Sequence, residues 1–211
     1  MIALQNVSFS YEKEQEYTLK EINVTAAQGE CLLLTGESGC GKTTFIRLLN
    51  GLIPHYYEGQ LEGNVMINGK EVRTMELYEI AALTGSVFQN PKSQFFNLDT
   101  TGELVFGCEN LGIPREQIQQ RLEKTKRDLQ LDNLMDRDIF ELSGGEKQQI
   151  ACASCYTADP GVFVLDEPSS NLDYQGIVQF RNIVCTLREM GKTVIIAEHR
   201  LFFLNDLYDR L

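Results

Sequence analysis

Four short, mainly apolar runs punctuate the chain, and each stops at a polar residue. "CLLL" (31–34) leads to Gly36, and "LTGSVF" (83–88) runs into Gln89. "VFVL" (162–165) runs into Asp166 and Glu167, and "TVIIA" (193–197) into Glu198 and His199. Such runs predict strands of a buried parallel sheet. Between them the period changes. Phe45, Leu48, Leu49 and Leu52 recur at helical spacing, with Asn50-Gly51 and Pro54 as stop signals. Ile177, Phe180, Val184 and Leu187 do the same ahead of Gly191, and Pro114 opens a charged helical segment with Ile118, Leu122 and Leu129 on one side. Residues 1–30 and 61–75 alternate, and Asn68-Gly69 within "NVMINGKEV" is a hairpin signal. After His199, Leu201, Leu204 and Leu207 or Tyr208 fall at helical spacing and predict a short helix.

The strand ends carry the chemistry. Gly36–Thr43 reads G-x-x-x-x-G-K-T between a predicted strand and a predicted helix. Glycines there let backbone N–H groups turn onto phosphates, and the helix N-terminus adds partial positive charge. Lys42 would reach the β- and γ-phosphates, and Thr43 would offer its hydroxyl to Mg²⁺. Glu37, Ser38, Gly39, Cys40 and Gly41 complete the cradle, with Thr44 just after it. In an open parallel sheet, ligands bind outside the carboxyl ends of the strands. Lys42, Gln89, Asp166, Glu167 and His199 should therefore meet in one crevice. Asp166 would hold Mg²⁺ directly or through water. Glu167, one residue further out, is placed to act on an attacking water as general base. His199 would hydrogen-bond the γ-phosphate, and Gln89 would orient water or ligate the metal.

Charge narrows the partners. A formal net charge of −11 argues against a nucleic-acid backbone or an anionic membrane surface as direct partner. The six cysteines follow no secretory signal, since "MIALQNVSFS" lacks a basic start and a long apolar run, and free thiols in a reducing cytosol are expected. No stretch approaches the ~18 apolar residues of a membrane span. Cys152 and Cys155 form a C-x-x-C without a second ligand pair, which reads as two small residues packed on a helix face. Cys40, inside the glycine loop beside Lys42, is the thiol expected to react first.

"ELSGGEKQQIACASCY" predicts a second anion-binding helix end. Ser143 and Glu146 are spaced as a capping box, and Gly144 and Gly145 leave the first N–H groups of the helix unobstructed. Glu146 would compete with an anion for that end.

The set G-E-S-G-C-G-K-T, Gln89, L-S-G-G-E, V-F-V-L-D-E-P, S-N-L-D and E-H, in that order over almost the whole chain, resembles the ATP-binding cassette (ABC) ATPase family. The resemblance implies a P-loop α/β fold with a mainly parallel core sheet. An antiparallel β subdomain over about 1–30 and 61–75, a helical subdomain over about 91–141 and a core from the remainder would form one domain, 1–211. It makes Leu142–Glu146 the signature, Asp166 the Walker B aspartate, Glu167 the catalytic glutamate, Asn171–Asp173 the D-loop and His199 the switch histidine. Tyr11, in "FSYE", matches the aromatic residue that stacks on adenine, and is otherwise a tyrosine half-buried at a strand end. In this family cassettes pair head-to-tail, so Ser143, Gly144 and Gly145 would act on an ATP held by another cassette.

"SVFQNPKSQFFN" and "AEHR" particularly resemble the ATPases of energy-coupling factor (ECF) transporters, which import vitamins and transition-metal ions. The implied partners are a transmembrane coupling subunit and a substrate-capture membrane protein at the cytoplasmic face of the membrane. Phe95 and Phe96 lie where a transmembrane partner docks or where the helical subdomain fills its core. A second cassette in the same polypeptide, following this one, and further strands beyond residue 211 are also implied. A soluble ABC ATPase acting on ribosomes or DNA is the rival, though the acidic balance and the missing coiled-coil insertion oppose it. A P-loop kinase of another family would need neither L-S-G-G-E nor His199.

Overall fold

The computed structural model describes residues 1–12 and 16–211; the part of the expected 1–30 alternation that falls on 13–15 lies outside the described residues. Two sheets organise the described residues. β1 (Ile2–Tyr11) pairs antiparallel with β2 (Leu19–Ala26). β3 (Cys31–Leu34) ends in the glycine loop, which leads into α1 (Lys42–Leu49). α1 stops at Asn50, and Gly51 takes a left-handed φ of 76°, so Leu52 opens a separate single turn, α2 (Leu52–His55).

β4 (Gly59–Ile67) and β5 (Lys70–Glu71) form the hairpin signalled by Asn68-Gly69, and both turn residues have positive φ, 49° and 79°. Two positive φ values in a two-residue turn match the right-handed twist of the strands it joins. The antiparallel sheet has the order β2-β1-β4-β5.

α3 (Leu77–Leu83) runs straight into β6 (Thr84–Val87). α4 (Thr100–Asn110) and α5 (Arg115–Asp128) follow, and Pro114 takes the N-cap position of α5 as its fixed φ allows. α6 (Gly144–Ala158), β7 (Val162–Asp166), α7 (Tyr174–Glu189) and β8 (Thr193–Ala197) complete the elements. The second sheet is parallel throughout, with the order β3-β8-β7-β6.

Successive residues of its strands alternate between two cores. Cys31, Leu33, Phe163, Leu165, Val194 and Ile196 pack with α6 and α7. Leu32, Val162, Val164, Ile195 and Ala197 pack with α1 and the antiparallel sheet. A strand covered on both faces has no use for a polar alternate position, which is why these runs read as unbroken in the sequence. On α7 the predicted stripe is the buried one: Ile177, Phe180, Val184 and Leu187 all lie under it.

The short helix expected after His199 is absent. Residues 202–207 make successive turns closed by i to i+3 bonds, from Leu204 N–H to Leu201 O at 3.0 Å and from Leu207 N–H to Leu204 O at 2.7 Å. The leucine spacing reports real burial, since Phe203, Leu204 and Leu207 pack onto the α7 side. Side chains of α7 impose the path instead. Arg181 holds both carboxylate oxygens of Asp206, at 2.8 and 2.6 Å, and Arg188 holds Asp209 at 2.8 Å. Arg210 then lies alongside Leu32 as a parallel bridge, its carbonyl accepting from Leu33 N–H at 2.9 Å.

Candidate nucleotide site

The carboxyl ends of β3, β6, β7 and β8 carry the candidate residues. In the loop after β3, Gly36, Gly39 and Gly41 have φ of 149°, 83° and 98°. At Gly41 a Cβ would also meet the Leu19 side chain at 2.8 Å, so both backbone and neighbour require glycine there. Lys42, the first residue of α1, is buried, and its ammonium donates to the carbonyls of Gly36 and Glu37 at 3.0 Å each. The loop therefore wraps its own cation, with the Cys40 sulfur 3.8 Å from it. Cys40 is exposed.

At the second residue of α1, the Thr43 hydroxyl donates to Asp166 Oδ1 at 3.2 Å. Burial is the largest influence on Asp166 and raises its pKa, and the charge of Glu167 adds to this; the Thr43 bond, Arg47 and Lys42 oppose it. Arg47, one further turn along, donates to the Tyr11 hydroxyl at 2.7 Å and lies 4.1 Å from the centre of the Tyr57 ring. The Tyr11 hydroxyl also meets Thr44 Oγ1 at 3.0 Å. Tyr11 is thus half-buried at the end of β1 with its hydroxyl tied to α1.

Glu167 is the focus of the crevice. Gln89 Nε2 donates to Glu167 Oε2 at 2.9 Å, and His199 Nε2 lies 3.0 Å from Oε1. Its backbone is left-handed, with φ of 44°, and its N–H donates to Ala197 O at 2.8 Å. A glutamate in this region costs of order 1–3 kcal/mol, a strain that concentrates at functional sites. The kink turns the Glu167 side chain out of the sheet toward Gln89 and His199, one residue after the buried Asp166.

The "LSGGE" stretch opens α6 elsewhere on the surface. The capping box is complete: Ser143 Oγ accepts from Glu146 N–H at 3.3 Å, and Glu146 Oε2 accepts from Ser143 N–H at 2.7 Å. The Ser143 N–H, the Ser143 hydroxyl and Arg137, at 2.9 Å from Oε1, hold the Glu146 carboxyl below the usual carboxylate range. The carboxylate is bound back on the chain, turned to Ser143 and Arg137. Gly144 and Gly145 also serve packing, for a Cβ on either would approach Asn171 O at 3.3 Å or Gly176 Cα at 3.4 Å. Asp173 caps α7, accepting from Gly176 N–H at 2.8 Å. Cys152 is buried and Cys155 donates to Ser86 O at 3.2 Å, as small residues packed on a helix.

Phe95 and Phe96 divide between their two readings. Phe95 packs on the core, whereas Phe96 is 75% exposed and stacks on Phe106 of α4 at 5.0 Å. Phe96 and Phe106 wall a groove of about 300 Å³ that also includes Asn50, Thr84, Gln94 and Cys155. Glu103, buried on α4, accepts from the N–H groups of Phe96 and Asn97 at 3.0 and 2.9 Å and so fixes this loop. Sequence reasoning missed Glu103, Arg47 and Arg200. Each acts through a partner distant in sequence or on another element, and only the motif neighbourhood of Arg200 offered any signal.

Comparison with known proteins agrees with the geometry. A family model described as "ABC transporter" matches residues 19–170. Two proteins of Treponema denticola, described as ABC transporter ATP-binding proteins, are 53% and 46% identical over 211 residues, the whole of this chain and 43% of each relative. A Pyrococcus abyssi protein of the same description is 41% identical over 212 residues, with 76% of it covered. A solved structure, described as cbiO1 from Clostridium perfringens and as part of the ABC transporter complex cbiONQ, aligns with a TM-score of 0.86 at 26% identity. The alignment covers 99% of this chain and 82% of that one. The chain belongs to the ABC transporter ATP-binding family, and its fold is the ABC-type P-loop fold. It spans less than half the length of the two Treponema relatives, 43% of each.

Proposed function

We propose that this cassette binds and hydrolyses ATP to energise an ECF-type membrane importer of a vitamin or a transition-metal ion. One observation carries the hydrolytic reading: Glu167 is held at both oxygens by Gln89 and His199, beside the Thr43–Asp166 pair at the mouth of the glycine loop. Lys42 would exchange its loop carbonyls for the β- and γ-phosphates, and the loop N–H groups would hold the remaining phosphate oxygens. Glu167 takes a proton from the attacking water, while Gln89 and His199 keep its carboxylate aimed. Tyr11 offers its ring to the adenine, with its hydroxyl fixed by Arg47 and Thr44.

The donor set at Thr43 and Asp166 fits Mg²⁺, which favours oxygen ligands and completes its shell with phosphates and water. Gln89 offers a further oxygen. When bound, Mg²⁺ would neutralise charge on the β- and γ-phosphates.

Ser143, Gly144 and Gly145 would complete the site of another cassette. The lengths of the Treponema relatives support a partner cassette in the same polypeptide. The naming of the Clostridium relative as part of a transporter complex supports membrane partners, as does the exposed Phe96 beside its groove, where a coupling subunit would dock. The test is size-exclusion of the isolated chain with Mg-ATP, using Glu167→Gln to suppress turnover, alongside pull-down of the natural-length protein from membranes. A mostly monomeric, poorly active chain and co-purifying membrane proteins are expected. A stable ATP-dependent homodimer with robust wild-type turnover would remove the tandem reading. Retrieval of ribosomes or DNA instead of membrane proteins would remove the importer reading.

A further inference from the structure

Beside the Glu167 cluster lies a buried acid that the hydrolytic reading leaves unused. Glu198 follows β8 and is 2% exposed. Its Oε1 accepts from the hydroxyl of Ser169, itself fully buried, and its Oε2 accepts from the backbone N–H of His199 at 3.2 Å. Two residues on, Arg200 Nη1 donates to the carbonyls of Ser169 at 3.3 Å and Leu172 at 3.4 Å. Residues 198 and 200 thus both grip the loop 168–172, while His199 between them contacts Glu167. The loop starts at the strained Glu167 and ends at Asp173, the cap of α7. Asn171 adds a bond to Gln89 O at 3.4 Å, so the loop that follows Glu167 also touches Gln89.

From this bracket we infer that Glu198 and Arg200 are positioning residues: they lock loop 168–172 to the strand end that carries His199, so the Glu167–His199 pair and the loop shift only together. The inference rests on reading Glu167 as the base. Packing alone would place an apolar residue at position 198, like Val194 to Ala197 before it. A buried carboxyl is costly, and here burial pushes it up to about 7, with Glu167 adding to the rise and Arg200 opposing it. What the carboxyl supplies is reach to two donors at once, one on each loop. In the neutral form it keeps both contacts by donating its own O–H to Ser169, and glutamine has the same capacity through its amide.

The test uses the natural-length protein for kinetics and this chain for spectroscopy. Glu198→Ala is expected to lower kcat about tenfold or more, the scale of a misplaced catalytic group, with little change in KM for ATP. Glu198→Gln should recover most of that loss. Ser169→Ala should match Glu198→Ala, and the double variant should be no worse than either alone. The chain has two histidines, His55 and His199, so imidazole NMR reads both directly. Glu198→Ala should move the His199 signals and leave those of His55 in place. Arg200→Ala, an exposed change, should act in the same direction and guards against a variant that fails to fold. Wild-type kcat with unmoved His199 signals in both alanine variants, or additive losses in the cycle, would overturn the inference. Glu167→Gln assayed in parallel separates the two levels: if that variant still turns over, the assignment of the base fails, whatever Glu198 does.

Discussion

The imidazole of His199 and the carboxylate of Glu167 meet at 3.0 Å, Nε2 to Oε1, although 32 residues separate them along the chain. Two adjacent parallel strands, β7 and β8, bring them together in register, with Asp166 beside Ala197. The contact fixes the orientation of the side chain proposed to activate water. Glu167→Gln keeps the shape and loses the proposed base. Turnover is expected to fall by ~10²–10⁴ while ATP still binds. Steady-state ATPase beside equilibrium binding checks this, and near-normal turnover would place the base elsewhere.

Cys40 should be the cysteine that labels first. It is exposed and its sulfur lies 3.8 Å from the Lys42 ammonium. Burial protects four of the others: it pushes Cys31 up to about 12 and Cys155 up to about 11, and raises Cys108 and Cys152 as well. Alkylation at Cys40 should block nucleotide binding, and Mg-ATP should protect the thiol. Mass-spectrometric labelling with and without Mg-ATP decides; equal labelling of Cys40 in both contradicts the phosphate-cradle geometry.

Glu198 gives a pH signature of stability. Its folded pKa is raised from 4.5 to about 7, so between those values the folded state binds more protons than the unfolded one. Stability therefore declines as pH rises through that window, by up to about 3 kcal/mol at 1.36 kcal/mol per unit. Glu198→Gln removes this titration. Urea denaturation should show the variant gaining on the wild type from pH 5 to pH 7.5. A constant difference at the two pH values would show that Glu198 does not carry the shift.

Period and punctuation made much of this architecture legible. β3, β7 and β8 read as apolar runs because both faces are covered, and α7 read from one stripe because only that face is. The capping box at Ser143 was legible because both its bonds close within three residues. Residues 202–207 misled for a physical reason. Leu204 and Leu207 are buried three apart as in a helix, but the bidentate Arg181–Asp206 pair and the Arg188–Asp209 pair lead the backbone to the edge of β3. No local period encodes a partner on α7. The same holds for Arg47 and the Glu198–Ser169 contact, whose meanings depend on chain segments brought together only by folding.

Gly36–Thr43 is proposed to hold the phosphates of ATP, with Lys42 as the cation that makes the cradle bind. Lys42 currently satisfies the Gly36 and Glu37 carbonyls, so its loss also frees those acceptors, and folding of the variant is to be verified by circular dichroism. The direct measurement is the Mg-ATP-dependent rise in unfolding free energy of the wild-type chain and of Lys42→Ala. Ligand at a hundred times its Kd should stabilise the wild type by about 2.7 kcal/mol. Folded Lys42→Ala is expected to show no such rise at the same concentration. An equal rise in both proteins would place the nucleotide somewhere other than the Gly36–Thr43 loop.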